Sequence, residues 1–153
     1  MPPTQPVPDL TVHLGYWLRY VSNHVSQAFA RKVEAHGVTV AEWVLMRELL
    51  EEEALAPSRL AERMGMTRGA ISKLADRLIA KSMLVRAADP ADGRAQTLSL
   101  TSAGRALVPG LAALADANDA EFFDHLALED RAALLRILRG IVEKRGLKST
   151  PVD

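Results

Sequence analysis

No cysteine occurs anywhere in the 153 residues, which removes disulfides, thiolate metal sites and thiol redox switches in one step. No apolar run approaches the ~20 residues that a membrane span needs, and the N-terminus lacks a charged region followed by an apolar one. A cytoplasmic protein with no membrane partner is the expectation. Net charge is missing too, since 19 basic residues balance 19 acidic ones. Neutrality argues neither for nor against a polyanionic partner, because distribution matters more than the sum. Catalytic motifs are equally absent. His13, His24, His36 and His125 are scattered, with no HExxH, no G-x-S-x-G and no phosphate-cradling glycine loop. An enzyme, a metal site and a bound cofactor find no support in the residues.

What is present suits one domain, with 48% hydrophobic residues to build a core. Pro2, Pro3, Pro6 and Pro8 make the first ten residues an extended or flexible arm. From about Leu10 to His36, Leu14, Trp17, Leu18, Val21, Val25, Phe29 and Val33 recur every three or four positions, the mark of a long amphipathic helix. Gly37 stops it, and Thr39 caps a second helix through Glu42, Val44, Leu45 and Leu49. Core packing is the simplest account of Trp17 and Trp43.

Pro57-Ser58 opens a third helix with Leu60, Ala61 and Met64 toward a core, and Gly65 ends it. Thr67 caps a fourth helix from Arg68 to about Lys81. Its Ile71, Leu74, Ala75, Leu78 and Ile79 form a buried stripe, opposite Arg68, Gly69, Ser72, Lys73 and Asp76. The period then changes. Leu84 to Arg86 and Thr97 to Leu100 read as two short strands. Asp92-Gly93 marks the hairpin tip, where glycine accepts positive φ, and Arg94 follows it directly. Thr101 caps a fifth helix that Pro109 should kink and that continues through Leu111, Leu114, Phe122 and Phe123. Asp130 to about Lys144 form the last, with Leu134, Leu135, Ile137, Leu138, Ile141 and Val142 on its apolar face. The expected fold is mainly α with a small β-hairpin wing: a winged helix-turn-helix, an arrangement that puts one helix into a DNA major groove.

Charge follows the same division. From Pro57 to Arg94 the basic residues are Arg59, Arg63, Arg68, Lys73, Arg77, Lys81, Arg86 and Arg94, against Glu62, Asp76, Asp89 and Asp92. A neutral chain with one basic segment suits a specific DNA face, the rest being kept off the phosphates. The first and last helices carry more apolar surface than a lobe of residues 40–100 can cover. A symmetric homodimer with interlocked terminal helices is the economical solution.

These residues resemble the MarR-type winged helix-turn-helix transcriptional regulators. The likeness is carried by Pro57-Ser58-x-Leu60-Ala61-Glu62 and by Thr67-Arg68-Gly69-Ala70-Ile71-Ser72-Lys73-Leu74-x-Asp76-Arg77-Leu78. Asp89-Pro90-x-Asp92-Gly93-Arg94 and Leu98-x-Leu100-Thr101-x-x-Gly104 complete it. The resemblance implies a homodimeric repressor on a palindromic operator, with Arg94 at the minor groove and Asp92 steadying the wing. It also implies a small aromatic or phenolic effector held between the dimer helices and the DNA-binding lobe. Residues 1–10 would then be an arm, 11–37 a dimerisation helix, and 38–101 the DNA-binding lobe. Residues 102–148 would be the C-terminal dimerisation helices and 149–153 a tail. Two positions depart from the family pattern. Ser82 stands where glycine is common, which implies a different helix stop, and Ala87 where a second basic residue is frequent.

Arg68, Ser72 and Lys73 lie on the first exposed turns of the fourth helix, within reach of base edges. Gly69 and Ala70 would let that helix approach closely. Thr67 and Ser58, at helix N-termini, suit phosphates. For Arg77, an ion pair with Asp76 or Glu62 stands equal to a phosphate contact. Arg94 is the minor-groove candidate. A ligand pocket would draw on His13, Trp17, Tyr20 or Trp43, although helix packing explains the aromatics more simply. The competing reading is a winged-helix module that binds a protein without specific DNA binding, which would have no use for the basic tip or the Arg68–Lys73 face.

Overall fold

The computed structural model describes residues 1–148 and 151–152. An exposed, irregular stretch over residues 1–9 leads into a single 3-10 turn, Leu10–Val12. Six helices and one hairpin follow: α1 (Leu14–Glu34), α2 (Val40–Leu49), α3 (Pro57–Met64), α4 (Arg68–Ala80), β1 (Leu84–Ala88), β2 (Gln96–Leu100), α5 (Ser102–Phe123) and α6 (Leu128–Arg145). The mainly α chain with a small wing is the fold that the periodicities imply. Of the tail at 149–153, residues 149, 150 and 153 lie outside the described residues.

Local chemistry places the boundaries. Thr39 opens α2 with a capping box, its hydroxyl accepting from the Glu42 amide at 3.2 Å while Glu42 Oε1 accepts from the Thr39 amide at 3.1 Å. Thr67 and Thr101 cap α4 and α5 in the same sense, through the amides of Ala70 and Gly104. Gly65 ends α3 in the left-handed region at φ 65°. α1 begins four residues later than the periodicity suggests. His13 is extended, and the preceding turn is held separately by the Trp17 indole N–H donating to the Thr11 carbonyl at 2.9 Å. Pro109 does not divide α5, which runs as one helix of 22 residues. Its ring lies on the exposed side, where water can serve the carbonyl that lost its N–H partner.

The core gathers residues from every element but the 3-10 turn and α6. Val33, Leu45, Met46, Leu49, Leu60, Met64, Ile71, Leu78, Leu98, Val108 and Leu111 are all but inaccessible. Burying each such side chain contributes about 1.5–3 kcal/mol. On α4 the stripe of Ile71, Leu74, Ala75 and Leu78 is buried, and Ile79 at its edge is half-buried. β1 and β2 pair antiparallel, with Leu84 opposite Leu100 and Arg86 opposite Leu98. A bridge that the sequence did not advertise staples the base of the hairpin to the α2–α3 loop: Leu55 and Leu98 exchange both backbone hydrogen bonds, at 2.9 and 2.7 Å.

Trp17 departs from the expectation of core packing. It is 50% exposed, whereas Trp43 is buried. The N-terminal half of α1, with Leu14, Trp17, Leu18, Tyr20 and Val21, projects beyond the core, and α6 has no buried residue at all. A single chain offers those faces nothing to pack against.

Two junctions explain unusual residues. Ser82, directly after α4, adopts φ 62°, so the left-handed stop is kept and a serine bears its strain, where a different stop was expected. The conformation is enforced on both sides. Met83 N–H bonds the Leu78 carbonyl at 2.9 Å, and the Ser82 carbonyl accepts from the Thr101 hydroxyl at 2.7 Å. At Gly104 an added Cβ would strike the Met83 carbonyl, which is why the start of α5 can lie against the α4–β1 turn. Ser82→Gly should raise stability by about 1 kcal/mol, by relieving the left-handed serine. Gly104→Ala should lower it by about 1–3 kcal/mol through overpacking. Urea titrations monitored by helix ellipticity read both.

The one buried carboxylate in the lobe, Glu42, bonds Lys81 at 2.8 Å and is 1% exposed. Burial pushes its pKa up. The hydrogen bond from Lys81, those from the Thr39 amide and hydroxyl, and the Lys81 charge more than reverse that, leaving it below the usual carboxylate range. A depressed folded pKa contributes stability that is complete above the ordinary carboxylate range and is lost as pH falls through the folded value. The thermal midpoint of the parent should therefore drop on acidification below that range. Glu42→Gln should lose that component of the drop, as midpoints across a pH series would register.

Candidate nucleic-acid interface

The α3–turn–α4 unit is held by its own backbone and by the core. Met66 N–H bonds the Ala61 carbonyl at 2.9 Å across the Gly65 turn. Leu60, Ala61 and Met64 of α3 join Ile71, Leu74 and Leu78 of α4 in the core. With one side of α4 committed, Arg68, Gly69, Ser72, Lys73, Asp76 and Arg77 are exposed on the other, and Ala70 is half-buried between them. At Gly69 an added Cβ would meet nothing nearer than the Thr67 hydroxyl at 4.0 Å. The chain itself gives no packing reason for a glycine there; its effect is to keep the outer face low.

Ion pairing sorts the eight basic residues of this segment into two sets. Arg59 pairs with Glu62 at 3.8 Å, Arg63 with Glu52 at 2.9 Å and Lys81 with Glu42 at 2.8 Å. Arg86 pairs with Asp76 at 3.1 Å. Among the described residues, Arg68, Lys73, Arg77 and Arg94 have no acidic partner. Both partners that the sequence offered Arg77 are taken, Asp76 by Arg86 and Glu62 by Arg59. The unpaired set lies on the outer face of α4 and at the wing tip. A cation left unpaired keeps its full field for an outside anion.

The wing tip is a pair of aspartate-centred turns. Asp89 Oδ1 accepts from the Ala91 amide at 2.9 Å, and Asp92 Oδ1 accepts from the Arg94 amide at 3.0 Å. Ala95 N–H closes the turn onto the Asp92 carbonyl at 3.0 Å. Gly93 does not take positive φ, contrary to the expectation for the Asp92-Gly93 pair, because the Asp92 carboxylate satisfies the tip in an ordinary turn conformation. Arg94 is exposed there. The pair of Arg86 and Asp76 ties the wing to α4; no short-range signal could have linked residues on two different elements.

Two positions stand at helix N-termini. Thr67 spends its hydroxyl acceptor on the Ala70 amide. Ser58 is half-buried at the second residue of α3, whose first turn has no side-chain cap. Pro57 has no N–H, and the Arg59 and Leu60 amides bond the Ala56 carbonyl at 3.0 and 3.2 Å, which leaves the Ser58 amide.

The four residues offered for a ligand pocket are not brought together. His13, Trp17 and Tyr20 are exposed near the start of α1, where Trp17 and Tyr20 belong to a ring cluster with Tyr16 and His24. Trp43 lies elsewhere, lining a groove of about 300 Å³ between α1, α2 and α5 with Val25, Phe29, Val40, Val44 and Asn118. Sequence reasoning missed Asn118. It is buried, donates to the Val25 carbonyl at 3.1 Å and accepts from Lys32 at 2.9 Å, while Lys32 pairs with Glu121 at 2.7 Å. Those partners lie 86 or more residues apart, beyond any local pattern.

Comparison with known proteins agrees with this geometry. Residues 36–95 match the MarR family model. An uncharacterised HTH-type transcriptional regulator of Bacillus cereus is 28% identical over 145 residues, 92% of this chain and 95% of that protein. A probable transcriptional regulator from Pseudomonas aeruginosa superposes with a TM-score of 0.76 at 28% identity, covering 87% of this chain and 99% of the other. The Bordetella bronchiseptica protein BpsR, whose DNA binding is regulated by 6-hydroxynicotinic acid, superposes with a TM-score of 0.76 at 24% identity, covering 89% and 97%. Residues 36–95, from the end of the first helix through the wing, thus match the MarR family, and over most of its length the chain is similar to HTH-type transcriptional regulators.

Proposed function

We propose that this chain is a sequence-specific DNA-binding regulator, acting in the cytoplasm as a homodimeric repressor of a palindromic operator. The observation that carries the reading is that four exposed cations of the helix-turn-helix and wing have no acidic partner among the described residues. Arg68, Lys73 and Arg77 project from the outer face of α4, and Arg94 from the wing. α4 enters the major groove, where Arg68, Ser72 and Lys73 meet base edges, and Gly69 lets the helix come close. Arg94, held by Asp92, reaches the minor groove. The amides at Thr67 and Ser58, together with Arg77, take phosphates.

Two copies are needed because α1 and α6 leave apolar faces that a monomer cannot hide. Leu134, Leu135, Ile137, Leu138, Ile141 and Val142 of α6 are each between 37% and 53% exposed. Residues 11–37 and 102–148 form the dimerisation region, with 38–101 as the lobe it presents to DNA, and a two-fold pair reads two half-sites. Release from DNA follows binding of a small aromatic or phenolic molecule in the groove beside Trp43, as the regulation of BpsR by a hydroxylated aromatic acid suggests.

Duplex DNA selected from a random-sequence pool by the purified protein provides the assay. Its affinity should fall on the order of 10³-fold or more between 50 and 200 mM salt. Arg94→Ala should weaken binding to every duplex. Arg68→Ala should in addition erase roughly 1–3 kcal/mol of discrimination at one base pair. A salt-independent complex, or an Arg68→Ala variant with unaltered preference, would point to a protein-binding module instead. Ile141→Glu should convert the dimer to a monomer in sedimentation experiments, because it places a charge in the apolar face.

A further inference from the structure

The two ends of α4 are held very differently. Its N-terminal end, where the DNA-facing cations begin, has a local cap from Thr67 and the turn at Gly65. Its C-terminal end is fixed from two sides. From one, the Ser82 and Met83 carbonyls bond the hydroxyl and amide of Thr101 at 2.7 and 3.1 Å. From the other, Lys81 reaches across to α2. Its ammonium has three donors, and all three are engaged: by Glu42 Oε1 at 3.0 Å, Glu42 Oε2 at 2.8 Å and the Gly37 carbonyl at 2.9 Å. Glu42 is in turn locked by the Thr39 capping box. The clamp therefore joins the last residue of the recognition element to the rigid first turn of α2, and it touches no surface that faces DNA.

Lever arithmetic gives that contact a use. α4 has 13 residues, so it is about 20 Å long, and a tilt of about 5° at one end moves the other by close to 2 Å. Base-edge hydrogen bonds do not tolerate such an error, since productive constellations must be held to about 0.5 Å. Phosphate attraction is long-ranged and tolerates it well. A loosened pivot would thus cost sequence discrimination before it cost affinity for DNA in general.

We propose that Glu42 and Lys81 are positioning residues for operator recognition, setting the angle at which α4 presents Arg68, Ser72 and Lys73 to the bases. This rests on the DNA-binding reading above. The test compares affinities for a duplex selected from a random-sequence pool by the parent protein with those for its scrambled counterpart, by fluorescence anisotropy. The variants are Glu42→Gln, Lys81→Gln and the apolar double replacement Glu42→Met with Lys81→Met, each verified as folded by circular dichroism at the assay temperature. The double replacement removes both charges together, so no ion is left buried and unpaired if a single variant fails to fold.

Each folded variant should lose roughly tenfold on the selected duplex, the scale of one misaligned base contact. Binding to the scrambled duplex and the salt slope should stay close to the parent's. Equal losses on both duplexes, or full selectivity in folded variants, would overturn the positioning role and leave the DNA-binding reading standing. Failure of the parent to select any duplex would instead overturn that reading, and the clamp proposal with it.

Discussion

Ile71, Leu74, Ala75 and Leu78 are buried along one side of α4, and the rest of the molecule is arranged around that commitment. With four apolar side chains sunk, the helix cannot rotate about its axis without exposing them, at a cost of several kcal/mol. Its opposite side is thereby fixed as a surface of Arg68, Gly69, Ser72, Lys73 and Arg77. A helix docked this firmly can carry an uncompensated positive charge outward, because its place does not depend on ion pairs along that face. The lobe does have ion pairs, joining α3 to α2 and Lys81 to α2, and the one that uses the outer face of α4, Asp76 with Arg86, ties it to the wing.

Ion pairing thus divides the basic residues of the lobe into a structural set and an uncompensated one. Composition alone could not reveal it, since the chain is neutral overall. Salt bridges among exposed residues contribute little stability, typically under about 1 kcal/mol. What the pairs of Arg59, Arg63 and Arg86 do is to withdraw those cations from the surface field. Four remain, three on α4 and one at the wing tip.

Much of this could be read from the residues, because the signals were local. Thr39, Thr67 and Thr101 announced their helices as caps, Gly65 its stop, and the spacing of Ile71, Leu74 and Leu78 the buried face. Where the reading failed, the cause was a competing partner. Gly93 kept an ordinary φ because Asp92 could close the tip, and Ser82 took the left-handed stop because Thr101 and Leu78 hold it there. Trp17 and Trp43 look alike in a periodic pattern, yet only Trp43 lies where the chain has a core. The clamp of Glu42 and Lys81 and the buried Asn118 were illegible, since their partners are 39 to 93 residues away.

The central claim is that the outer face of α4 reads bases in the major groove, and methylation interference on the selected duplex tests it most directly. Guanine N7 lies in the major groove and is a bond partner for arginine. Methylating the guanine read by Arg68 should abolish binding by the parent and change little for Arg68→Ala. Binding indifferent to methylation at every guanine, or equally sensitive in both proteins, would contradict the account.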